Sequence, residues 1–172
     1  GNIGRRGGGS YFPLHSFGNV NLDWTKPSEQ RPRRRFVLPR IGQEILKATD
    51  PPVEMVWING SNIVNQAANI ALTARALASI PFKVVVDAFM TDTAERADLI
   101  LPSTLMLEQT DLLGSYLHPH VQWAGAVLNP PGKARDDYWI VSELGKRLDP
   151  PILMPSQEAA FEASLDTPIL TG

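Results

Sequence analysis

The chain reads as an α/β protein organised on a mainly parallel sheet, and three observations predict this. First, three short apolar runs recur: residues 53–58 (Val-Glu-Met-Val-Trp-Ile), 84–86 (Val-Val-Val) and 99–101 (Leu-Ile-Leu). Second, runs this continuous suit strands covered on both faces rather than one-sided strands. Third, the stretches between them carry helical patterns, and strands alternating with helices pair in parallel through right-handed crossovers. The sequence therefore predicts a three-layer unit over residues 51–150. A loop-rich lead-in over 1–50 precedes it, and a tail or linker over 151–172 follows it.

In the lead-in, Gly1, Gly4, Gly7, Gly8 and Gly9 surround Arg5 and Arg6. Such a stretch is either a flexible terminus or a set of backbone amides and guanidinium groups suited to a phosphate. Arg31, Arg33, Arg34 and Arg35 lie among prolines, as a solvated linker or a basic dock for an acidic partner or a phosphate. Residues 40–49 read as a short helix with Ile41 and Ile45 one turn apart, ended by Asp50-Pro51-Pro52 because a residue before proline leaves helical geometry.

The first strand runs into Asn59-Gly60-Ser61-Asn62, a turn of small polar residues. Residues 65–79 follow as one helix, with Ala67, Ile70, Ala74 and Leu77 on its buried face. The second strand closes on Asp87. Asp92 and Glu95 fit a capping box for a short helix through Ala97. The third strand stops at Pro102. Beyond it, Val121, Trp123 and Val127 suit one face of a strand, and Asn129-Pro130-Pro131-Gly132 a turn. Asp136 and Asp137 open a last helix that Lys146 and Arg147 close, in keeping with the helix dipole. Ile140, Leu144 and Leu148 form its apolar stripe.

Composition narrows the function. The 172 residues carry a net charge of −2, which argues against nucleic acid as the main partner. No cysteine is present, so this chain offers no disulfide, no thiolate metal site and no iron–sulfur ligand. No apolar run approaches the roughly 20 residues that span a bilayer. His118 and His120 could provide two metal ligands, but the sequence offers no obvious third. Glu108 and Asp111 could act as an acid/base pair, although a surface or capping role suits Glu108 better. Spacing supports no nucleophile–histidine–acid set.

Ligands of open α/β sheets bind beyond the carboxyl ends of the strands. Three candidate segments fall there. Gly60 lets backbone approach a ligand, while Ser61 and Asn62 can bond a phosphate or sugar at a helix start. Asp87 stands at the next strand tip, where nucleotide-binding folds place the carboxylate that grips a ribose. Thr91 and Thr93 bring hydroxyls beside a further helix start. No G-x-G-x-x-G and no P-loop is present, so spacing alone leaves open whether these are nucleotide-binding residues or ordinary turn and cap residues.

The residues also carry a resemblance. Val84-Val85-Val86-Asp87-Ala88-Phe89-Met90-Thr91-Asp92-Thr93-Ala94-Glu95-Arg96-Ala97-Asp98-Leu99-Ile100-Leu101-Pro102 resembles the signature "VVV-D-x-F-x-T-E-T-A-x-x-A-D-x-x-L-P" of molybdopterin oxidoreductases of the dimethyl sulfoxide reductase and formate dehydrogenase type. Trp57-Ile58-Asn59-Gly60-Ser61-Asn62 is similar to the family's "W-x-x-G-x-N" turn. Glu108, Asp111 and Ser115-Tyr116 resemble "E-x-x-D-x-x-x-S-Y". Pro131-Gly132-Lys133-Ala134-Arg135-Asp136-Asp137-Tyr138-Trp139 resembles "P-G-E-A-R-x-D-W", and residues 1–9 resemble a "G-N-x-G-x-P-G-G-G" lead-in. Asp92 and Lys133 each stand where the family has Glu, Ile63 stands where Pro often follows Asn62, and Arg6 replaces Pro.

The resemblance implies a Rossmann-like domain that binds molybdopterin guanine dinucleotide, with Gly60, Ser61 and Asn62 against its phosphate or sugar. Asp87 would contact ribose or guanine, with Thr91 and Thr93 nearby. The molybdenum or tungsten would be held by the cofactor, and no catalytic or metal-ligating residue is assigned to this chain. The implied partners are the remaining domains of a longer parent chain and iron–sulfur electron-transfer subunits. A non-catalytic relative within a respiratory NADH dehydrogenase is the alternative. The sequence does not fix substrate or compartment.

Overall fold

The structure, a computed structural model, describes Arg6 and residues 20–26, 33–114 and 120–167. Readings that rest on residues 1–5, 7–9, Arg31, Ser115, Tyr116 and His118 lie outside them. The mixed α/β architecture and the mainly parallel sheet are as the sequence predicts. Strands β1 (Met55–Asn59), β2 (Phe82–Asp87) and β3 (Leu99–Pro102) lie side by side in that order, all parallel. Helices α1 (Ile41–Lys47), α2 (Ile63–Gln66) and α3 (Ile70–Ala78) belong to the same half of the chain. An antiparallel pair, β4 (Asp111–Leu113) and β5 (Gln122–Ala124), lies apart from the sheet, and helices α4 (Asp137–Gly145) and α5 (Gln157–Leu165) close the order.

Strand register decides which side chains share a face. Met55 pairs with Phe82, Trp57 with Val84, and Val84 in turn with Leu99. Since side chains alternate along a strand, Val56, Ile58, Val85 and Ile100 point to the other side. That side packs into one core with Ile45, Ile63, Val64, Ala76, Leu77, Ile80 and Ala94. Burying a side chain such as Leu77 stabilises the fold by about 1.5–3 kcal/mol. On the opposite face Val84 and Val86 are also buried, but Met55, Phe82 and Leu99 at the amino ends stay 51, 42 and 44% exposed.

The alanine-rich segment departs from its expected single helix. Its chain breaks after Gln66, and Asn69 adopts a left-handed conformation (φ 60°, ψ 77°). The Asn69 side chain then accepts from Leu72 N at 3.1 Å and caps α3. Asparagine tolerates that conformation and makes a good cap, so Asn69 starts the second helix after the chain has left the first at Ala67. The break rotates the buried face to Thr73, Ala76 and Leu77, and Ile70 is 54% exposed. Gly42 lets α1 and α3 approach closely, since a Cβ there would lie 2.9 Å from Thr73 N.

The later elements differ more. Asp136 caps α4 by accepting from Trp139 N at 2.7 Å, as its charge suggests. Of the expected stripe only Ile140 is buried, while Leu144 and Leu148 are exposed. Trp123 and Val127, expected on a strand face, are exposed too, with Trp123 edge-on to Phe161 at 5.2 Å. The segment expected as a tail holds α5, capped by Ser156 Oγ accepting from Ala159 N at 3.2 Å. Ser164 of this helix is buried, and its hydroxyl accepts from Trp24 Nε1 at 3.0 Å. Glu108 caps a short turn by accepting from Leu105 N at 2.9 Å.

Candidate functional site

Parallel strands put all their carboxyl ends at one rim, and the register brings Asn59 opposite Val86 and Asp87 opposite Pro102. The glycine turn continues this ladder, because Gly60 N donates to Val86 O at 3.0 Å. Gly60 therefore sits directly beside Asp87. Its φ of +56° is the left-handed region that favours glycine, and a Cβ there would meet nothing within 4 Å. The glycine is thus required by backbone conformation, and the space above it is open.

The chain then turns into α2, with Asn62 as its N-cap residue and no side-chain cap bond. The Asn62 carboxamide bonds across to the next loop instead. Thr93 Oγ1 donates to Asn62 Oδ1 at 2.7 Å and accepts from Val64 N at 3.1 Å. Thr93 is 1% exposed, so its hydroxyl is committed to these two partners. Asn65 Nδ2 donates to Asp92 Oδ2 alongside, a second tie between the same two loops. Ser61 Oγ donates to Gln66 Oε1 at 3.0 Å.

Asp87 ends β2 half-buried, and its Oδ1 accepts from Phe89 N at 3.0 Å, which folds the loop back over the strand tip. Its backbone carbonyl accepts from Ser103 N at 3.2 Å. One carboxylate oxygen keeps its acceptor capacity among the described residues. Thr91 Oγ1 accepts from Ala94 N at 3.2 Å, so Thr91 caps the short turn Ala94–Arg96. Asp92, the expected cap, is taken by Asn65. A Thr three residues before the start of the turn reaches the amide because the loop bends at Phe89, whose carbonyl accepts from Thr91 N at 3.0 Å.

The rim thus brings together Gly60, Ser61, Asn62 and Asp87 and puts Thr91 beside them, with Thr93 beneath. One neighbour was not singled out from sequence. Arg135 forms a parallel bridge with Ser103, just past the end of β3, and its N donates to Pro102 O at 3.1 Å. Its guanidinium lies 5.6 Å from the Trp139 ring centroid, a cation–π contact. The signal was the Pro131–Trp139 motif match, which names the segment but not its place against the sheet.

The donor set can be matched to a ligand. An open backbone turn and an amide suit the acceptor oxygens of a phosphate, and a carboxylate suits the N–H edge of guanine or a ribose hydroxyl. Among the described residues no three His, Asp or Glu side chains converge as a metal site would need.

Comparison with known proteins decides between an isolated likeness and kinship. The sequence profile of the molybdopterin oxidoreductase family matches residues 14–147. The chain belongs to this family. It is 35% identical over 156 residues to a probable oxidoreductase, YyaE, of Bacillus subtilis (strain 168), covering 86% of this chain and 23% of that protein. It is 30% identical over 105 residues to the F420-dependent formate dehydrogenase subunit alpha of Methanocaldococcus jannaschii, covering 61% of this chain and 16% of that protein. Among solved structures, acetylene hydratase from Pelobacter acetylenicus superposes with a TM-score of 0.58 at 28% identity, covering 65% of this chain and 16% of the hydratase. The chain therefore spans about a quarter or less of the length of these relatives. The family binds a pterin cofactor carrying molybdenum or tungsten, and the rim at Gly60 and Asp87 has the donors and acceptors that such a group needs.

Proposed function

We propose that this chain binds the guanine dinucleotide form of molybdopterin at the carboxyl ends of β1–β3 and serves a molybdenum- or tungsten-dependent oxidoreductase. The observation that carries the reading is the Gly60–Val86 backbone bond, which sets the open glycine turn beside the Asp87 carboxylate. In this reading Gly60 admits the phosphate backbone closely, Asn62 donates to its oxygens, Ser61 turns its hydroxyl proton from Gln66 to a phosphate oxygen, and Asp87 accepts from guanine or ribose. Thr91 holds the loop that carries Asp87's neighbours. When bound, the cofactor supplies a metal held by its dithiolene sulfurs and hence the two-electron step. This chain has no cysteine with which to bind the metal or an iron–sulfur cluster.

The rest of the active site would come from further domains of a longer chain, with iron–sulfur subunits as electron partners. The relatives described above give no support to the alternative of a respiratory NADH dehydrogenase subunit. The hydratase among them is a reminder that fold alone does not fix the reaction. The test is chemical analysis of the full-length protein as purified. Acid-released guanine nucleotide together with bound molybdenum or tungsten is expected. Metal with no nucleotide would overturn the dinucleotide assignment, and absence of both would overturn the reading as a whole.

A further inference from the structure

We infer that Thr93 is a positioning residue whose buried hydroxyl fixes which way round the Asn62 carboxamide stands, so that the amide offers only N–H donors to the ligand. The inference rests on the cofactor reading above and specifies what its glycine turn recognises: an acceptor-rich group such as a phosphate.

The protons available at Thr93 settle the direction of its bonds. A threonine hydroxyl has one proton to give and lone pairs to receive with. The Val64 amide can only donate, so the 3.1 Å bond from Val64 N uses a lone pair of Thr93 Oγ1. The hydroxyl proton is left for the 2.7 Å contact with the Asn62 side chain, which must therefore present its oxygen. Turned the other way, Asn62 would place an N–H donor against the hydroxyl and strand the Thr93 proton at a site only 1% exposed. With Oδ1 occupied, the Asn62 N–H groups remain, and no bond from them is seen among the described residues. They sit on the half-exposed residue that follows the open turn at Gly60. An asparagine locked by a buried hydroxyl loses no rotamer freedom on binding, and it discriminates against ligands that would need it to accept. The same bond ties the β1–α2 turn to the loop after β2, so the position of Asn62 relative to Asp87 is set by Thr93 as well.

A double-mutant cycle in the full-length protein tests this, read as guanine nucleotide retained per polypeptide after dialysis, with thermal melting as the folding control. Thr93→Val is expected to weaken retention about tenfold, the scale of one lost hydrogen bond. Thr93→Ser, which keeps the hydroxyl, is expected to stay within about twofold of the parent. In an Asn62→Ala background, Thr93→Val should have almost no further effect, because the residue acts through Asn62. Asn62→Asp keeps an acceptor for Thr93 but removes the donors, so it should retain the fold and lose the nucleotide. It also keeps the inference testable should Thr93→Val fail to fold. Equal losses from Thr93→Val with and without Asn62, or full retention by Asn62→Asp, would overturn the inference while leaving the cofactor reading intact. Full retention by both Asn62→Ala and Asp87→Ala would instead overturn the cofactor reading.

Discussion

The two rims of the parallel sheet are built from the same three strands but to different ends. At the amino rim, Lys83 and Asp98 form an ion pair at 2.8 Å, reinforced by Lys83 N donating to Asp98 Oδ2 at 2.7 Å and Asp98 N to Lys83 O at 2.9 Å. These groups satisfy one another and staple the start of β3 to β2. At the carboxyl rim, Asn62, Asp87 and Thr91 each spend part of their bonding capacity holding loops and keep the rest. The difference teaches that polar content alone does not mark a site. What marks it is donors and acceptors held firmly by one partner while another position stays open.

Substitutions can break or sharpen this contrast. The largest effect on stability is expected between the rims. Leu77→Ala removes a buried side chain that packs α3 on the sheet, and should cost about 2–5 kcal/mol in urea unfolding. It should loosen both rims alike. Gly42→Ala is expected to cost about 1–3 kcal/mol, because its Cβ would press on the α3 backbone at Thr73 and Leu72. Gly60→Ala meets no neighbour, so only the left-handed strain of about 1–2 kcal/mol should appear in the melt. Its effect on nucleotide retention should be the greater one, since a Cβ would stand in the space kept for the ligand.

The smallest effect is expected at the amino rim and depends on pH. The Lys83 ammonium and then the Lys83 backbone N–H hold the Asp98 carboxyl below its usual value of 3.8. A depressed folded-state pKa gives stability that is present above the unfolded value and lost as pH falls through the folded one. Asp98→Asn should therefore melt slightly below the parent at neutral pH, and the gap should close as pH falls below the usual carboxylate range and Asp98 takes up its proton. A constant gap across that range would show that the charge is not what the pair contributes.

How much of this was legible in sequence follows from which physical constraint each residue answers. The three strands were legible because strands buried on a parallel sheet must be nearly all apolar. Gly60 was legible because a polar turn between strand and helix calls for a glycine. The single helix over 65–79 was misread because alanine propensity is uniform and hides a break. Asn69, an asparagine inside the run and so able both to take a left-handed φ and to cap, was the available signal. Helix α5 was obscured by the prolines before it, although Ser156 ahead of Gln157-Glu158-Ala159 is a recognisable cap. The cross-loop bonds Thr93–Asn62 and Asn65–Asp92 were not legible, because they join residues far apart in the chain and depend on β2 lying beside β1.

The central claim is that the carboxyl rim binds the nucleotide end of the cofactor and the amino rim does not. The most direct test compares two carboxylates on neighbouring strands, Asp87→Ala and Asp98→Ala, for guanine nucleotide content in the full-length protein, with melting curves alongside. Asp87→Ala is expected to fold but lose nucleotide, whereas Asp98→Ala is expected to keep it. Equal retention in both, or loss only in Asp98→Ala, would contradict it.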